Sequence, residues 1–101
     1  MRDRRGTQQF LPEKLIAIRE FLNLGEVEMA ESLSSDITSQ CGEPRQLKSA
    51  RISEYENGRV EPNLLVLVAY GRLGRVNLEL IADDRFTVQE FREQLGNLTK
   101  T

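Results

Sequence analysis

The chain is 101 residues long, with 39% hydrophobic and 30% charged residues, which fits one globular domain and excludes both a second domain and a disordered chain. It has no histidine and one cysteine, so a zinc site is not expected, imidazole general-base chemistry is excluded, and Cys41 lacks both an activating histidine and an internal disulfide partner. The net charge of −2 argues mildly against a nucleic-acid partner when taken as a sum, although the local field is what a phosphate surface meets.

Residues 1–10 read as a basic arm, with Arg2, Arg4 and Arg5 and no apolar stretch of signal-peptide length behind them. The expectation is a cytoplasmic protein. Leu11, Leu15, Ile18 and Leu22 then recur at helical spacing, with Pro12 and Glu13 suited to a first turn; this predicts a first helix ending near Leu24–Gly25. Val27, Ala30, Leu33 or Ser34, Ile37 and Cys41 keep a helical period, Gly42 stands where a C-terminal cap belongs and Pro44 follows. A second helix from about Glu26 to about Gln40 follows from that pattern.

A third helix is predicted over Ser49–Glu56, closed by Asn57–Gly58, where glycine permits a left-handed exit. Pro62–Asn63 opens a fourth from Leu64 to about Leu73, with Gly74 as its stop. The run Leu64–Tyr70 is rich enough in β-branched residues to be a buried strand, but no other strand is available to pair with it, and it is far too short to span a membrane. Asn77 is a suitable N-cap for a short fifth helix, Leu78 to Ala82. Thr87 and Glu90 have capping-box spacing for a sixth, with Val88, Phe91, Leu95 and Leu98 on one stripe. The fold class is all-α.

Charge is segregated along the chain. Residues 13–34 hold Glu13, Glu20, Glu26, Glu28 and Glu31 against Lys14 and Arg19, whereas residues 45–59 hold Arg45, Lys48, Arg51 and Arg59 against Glu54 and Glu56. The second and third helices, the run Ile52-Ser53-Glu54-Tyr55-Glu56-Asn57-Gly58 and the following Glu61-Pro62 resemble the lambda-repressor-like family of helix-turn-helix proteins (Cro and phage repressors). Leu15, Arg19, Leu24, Met29, Ala30, Leu33, Leu47, Arg59, Leu67, Val76 and Leu78 also match, so the resemblance covers roughly residues 11–84. It implies a bundle of five helices, with residues 85–101 as a C-terminal helix and tail.

That family sets the N-terminal part of its recognition helix against base edges in the DNA major groove. The resemblance places Lys48, Ser49, Ala50 and Arg51 there, with Glu54 one turn later. Arg51 then suits guanine and Glu54 the cytosine amino group, Lys48 suits phosphate or a base, and Arg59 and Asn63 a phosphate clamp. Arg45 and Gln46 could add backbone contacts. For each residue a plainer role competes: Ser53 as a local cap, Glu54 as part of a solvated face, Arg45 and Lys48 as ordinary surface charges. Ile52, Leu47, Met29 and Ala30 are expected in the core, and Arg19 and Glu56 are expected to meet as an ion pair.

The chain departs from the family twice. Glu26 stands where the family carries a phosphate-binding glutamine, and about a dozen extra residues separate Leu33 from Leu47, an extension that resembles POU-specific domains. The resemblance implies a transcriptional regulator of duplex DNA, neither an enzyme nor a cofactor binder. Leu64, Leu65, Val66, Leu67, Val68, Ala69 and Tyr70 make the fourth helix apolar almost all round, so its second side needs cover, and a homodimer through residues of about 64–98 is expected. A C-terminal helix that merely completes the monomer core is the competing reading of that apolar surface. A protein-binding module or antitoxin on the same scaffold is the alternative function.

Overall fold

The computed structural model describes residues 10–42, 46–83 and 87–95. Within them the regular elements are all helices: α1 Leu11–Leu22, α2 Glu26–Cys41, α3 Ser49–Glu56, α4 Leu64–Gly74, α5 Leu78–Ala82 and α6 Val88–Gln94. Of the basic arm expected over residues 1–10, residues 1–9 lie outside the described residues, as do Pro44, Arg45, Asp84 and Leu98.

α1 buries Leu11, Leu15, Ala17 and Ile18 on one face, the stripe that a helical period of apolar residues creates. It stops at Leu22, slightly before the predicted end, because Asn23 takes the left-handed conformation (φ 60) and its N–H donates to the carbonyls of Arg19 and Glu20. Asparagine tolerates that region better than most residues. α2 buries Met29, Ala30, Leu33 and Ile37. Val27 and Cys41, expected on this stripe, are exposed. Val27 lies well round the helix from the arc that Met29 and Leu33 define, and Cys41 sits on the last turn, beside the cap formed by Gly42 (φ 77).

α4 is a helix throughout. Asn63 Oδ1 accepts from the Val66 amide at 3.0 Å, so the start is fixed by a side-chain cap. Gly74, predicted as the stop, is instead the last helical residue, and Arg75 takes the left-handed turn (φ 57). The glycine is needed for space: a Cβ there would lie 3.2 Å from Ile18 Cγ2 and 3.5 Å from Leu95 Cδ2. α1 packs against α3, α4, α5 and α6, while α2 packs on α3 and α4. Asn77 precedes α5 as predicted, but its side chain makes no cap hydrogen bond. Thr87 and Glu90 do form the expected capping box of α6, with the Glu90 amide donating to Thr87 Oγ1 and the Thr87 amide to Glu90 Oε1.

Lys14 interrupts the apolar face of α1 and is fully buried. Its ammonium donates to the carbonyls of Leu80 (2.7 Å), Ile81 (3.4 Å) and Asp83 (2.9 Å), capping the C-terminal end of α5, where carbonyls are otherwise unpaired and the helix dipole favours a cation. It also lies 5.7 Å from the centroid of the buried Phe91 ring, a cation–π distance. Glu20 and Arg92 (3.2 Å) add an exposed link between α1 and α6. The C-terminal helix therefore folds back chiefly over α1, reaching α4 through Leu95. Leu64 and Leu65 at the start of α4 remain 64% and 43% exposed.

Candidate nucleic-acid interface

The site is built on α3, and three anchors fix that helix. The first is its entry. Ser34 on α2 donates to the Ala30 carbonyl (2.7 Å) and accepts from the Leu47 amide (2.7 Å), so a hydroxyl one turn above the α2 core holds the strand-like segment leading into α3. Lys48 occupies the N-cap position in extended backbone (φ −106, ψ 156). Its carbonyl accepts from the amides of Arg51 and Ile52.

The second anchor is the apolar underside, where Ile52 and Tyr55 are buried. The Tyr55 hydroxyl is held above its ordinary pKa chiefly by that burial. The third is the expected ion pair. Arg19 Nε donates to Glu56 Oε2 at 2.7 Å and Nη2 to Oε1 at 3.0 Å, a two-pronged geometry, while Nη1 donates to the Leu24 carbonyl at 3.1 Å. One guanidinium thus ties the end of α3 to α1 and to the turn before α2. The Glu56 side chain is only 6% exposed, and its hydrogen bond is the main reason that the Arg19 pKa is raised. Glu26 adds to that field.

With those faces committed, the outward side of α3 is settled by the helical period. Gln46, Lys48, Ala50 and Arg51 are exposed, and Ser49 and Glu54 are half-buried. Arg51 Nη1 lies 3.3 Å from Glu54 Oε1, a pairing of the two residues that the sequence assigned to separate bases. Neither Lys48 nor Arg59 has an acidic partner among the described residues. Ser53 accepts from Asn57 Nδ2 at 3.3 Å, its local capping role.

Beyond α3 the chain turns through Gly58 (φ 75), a conformation that strains any residue with a Cβ. The Arg59 amide closes the turn on the Glu54 carbonyl at 3.0 Å, leaving the Arg59 side chain exposed. Asn63 is exposed too, but its oxygen is engaged in capping α4, which leaves its amide NH2 as the group that can donate. The structure thus brings Lys48, Ala50, Arg51 and Glu54 onto one exposed stretch with Arg59 at its far end. Arg45 lies outside the described residues.

Compared with protein-family models, curated proteins and solved structures, the chain finds no match in any of the three. The case for this surface therefore rests on its own geometry. Sequence reasoning missed several pairings, Glu20–Arg92 among them. Arg51–Glu54 was visible as an i, i+3 spacing. Arg72 on α4 grips Asp36 on α2 with both Nε (2.9 Å) and Nη2 (2.6 Å) on Oδ2, a contact across 36 residues with no local signal. Lys14 was signalled by a cation standing within an apolar stripe. Next to the α3 entry, an open groove of about 760 Å³ lies between the second half of α2 and Gln46–Leu47, lined largely by Ser34, Ser35, Thr38 and Ser39.

Proposed function

We propose that this protein binds duplex DNA as a transcriptional regulator of the lambda-repressor-like helix-turn-helix type, without catalysis. The observation that carries the reading is the α3 surface: an eight-residue helix whose inner face is anchored by Ile52, Tyr55 and the Arg19–Glu56 pair, with Arg51 exposed on its outer face, Lys48 exposed at its N-cap and Arg59 exposed in the turn beyond its end. Rigid backing matters, because side chains read base edges only when the helix that carries them is fixed in register. In this reading Lys48 and Arg59 meet phosphates beyond the two ends of α3, whose eight residues span about 12 Å along the helix axis. Arg51 and Glu54 lie between them at base-edge positions, with the Asn63 amide as a further phosphate donor.

Regulators of this kind pair on two-fold sites. The exposed Leu64 and Leu65 favour a homodimer whose contact includes the start of α4. The alternative, a protein-binding module or antitoxin on the same scaffold, draws support from the same two leucines, from Phe21 and Val27, both about half exposed or more, and from the acidic α1–α2 side.

Titration of the protein into mixed-sequence duplex DNA at low and moderate salt tests the reading. Binding that weakens steeply with salt is expected, with Arg51→Ala relaxing base preference and Arg59→Ala weakening all sequences alike. Absence of binding at low salt rejects it, and a stoichiometric protein partner retained by a variant lacking Lys48, Arg51 and Arg59 supports the alternative.

A further inference from the structure

Of Lys48, Arg51 and Arg59, only Arg51 lies on α3 itself, and it has an acid beside it. Arg51 Nη1 and Glu54 Oε1 are 3.3 Å apart, three residues from each other on one helix face, with side chains 48% and 43% exposed. A pair this accessible is only marginally favourable in water, so it opens readily when a better partner arrives. Lys48 and Arg59 have no such acid beside them among the described residues. The middle of the cationic surface is locally neutral, while both ends keep their charge.

We propose that Arg51 and Glu54 form one coupled unit that withholds Arg51 from the DNA backbone and releases it only to base pairs that satisfy both side chains; this rests on the DNA-binding reading above. On an arbitrary duplex, moving Arg51 to a phosphate breaks its bond to Glu54. It also leaves the Glu54 carboxylate unpaired against the phosphate charge. The gain and the loss nearly cancel, so Arg51 adds little to sequence-independent affinity. Where a guanine offers O6 and N7 to the guanidinium and a neighbouring cytosine offers its N4 amino group to the carboxylate, both groups are paired again. Glu54 is then a specificity-determining residue that acts largely by penalising wrong DNA. Specificity built from a repulsive element needs no additional affinity for the right site.

A double-mutant cycle on the full chain tests this. The unmodified protein, Arg51→Ala, Glu54→Gln and the double variant are titrated with a random-sequence duplex at low salt, after circular dichroism has shown equal helix content. With Glu54 present, Arg51→Ala is expected to weaken binding less than about twofold, but about fivefold in the Glu54→Gln background, where Arg51 is free to reach phosphate. Selection from a random duplex pool is expected to show a flattened preference at one G·C pair for Glu54→Gln. Equal effects of Arg51→Ala in both backgrounds would overturn the coupling while leaving DNA binding intact. Failure of the unmodified protein to bind at low salt would overturn the functional reading, and this inference with it.

Discussion

Tyr70 is fully buried in the core and its hydroxyl has no hydrogen-bond partner among the described residues. A buried hydroxyl without a partner costs about 1–3 kcal/mol in lost hydration. Tyr70→Phe keeps the ring and removes that cost, so it is expected to raise unfolding stability by about 1 kcal/mol in denaturant melts. Burial, and secondarily the Glu56 carboxylate, push the hydroxyl's pKa far above its ordinary value. The unfolded chain ionises near pH 10 while the folded chain does not, so this residue's contribution to stability is complete below about pH 10 and falls above it. The advantage of Tyr70→Phe over the unmodified protein should therefore widen as pH rises past 10, by at most about 1.4 kcal/mol per pH unit. A constant advantage across that range would show that Tyr70 is not held neutral. Glu56 is the opposite case: removing it leaves Arg19 without its main partner. Glu56→Ala is expected to cost about 3 kcal/mol, read as a lowered denaturation midpoint.

The elements depend on a few close approaches. α4 can lie against α1 because Gly74 has no side chain where Ile18 fills the space. Gly74→Ala would gain about 1 kcal/mol of helix propensity but would press on a fully buried Ile18 in a densely packed core. Overpacking of that kind costs about 1–3 kcal/mol, so a net loss is expected, seen as a lower thermal midpoint; a raised midpoint would contradict the packing argument. This position also shows how far the sequence could be read. Glycine at the end of an apolar run reads as a stop, and only the neighbour supplied by the fold reveals that it marks a close approach. Local signals succeeded where the physics is local: Asn63, the Thr87–Glu90 box and Gly42 all terminate or start helices as their spacing predicts. The Arg19–Glu56 pair was legible only through family resemblance, since 37 residues separate its members. Arg72–Asp36 was not legible, and although its place in an apolar stripe marked Lys14, the α5 carbonyls it meets were not legible either, because both contacts depend on which helices become neighbours.

At the scale of the molecule, a net charge of −2 coexists with a local run of exposed cations at α3: Lys48 at its N-cap, Arg51 on the helix and Arg59 in the turn beyond it. α2 is joined to α4 by Asp36–Arg72 and to the α3 entry by Ser34. On the proposed function, sequence-independent affinity comes from the end cations Lys48 and Arg59. The measurement that tests this most directly is the dependence of binding constant on salt for mixed duplex DNA, compared between the unmodified protein and Lys48→Ala/Arg59→Ala. Each phosphate contact contributes about −0.9 to the slope of log K against log salt, so the double variant is expected to lose nearly two units of slope together with affinity. An identical slope in the two proteins would contradict the claim that this helix faces the DNA backbone.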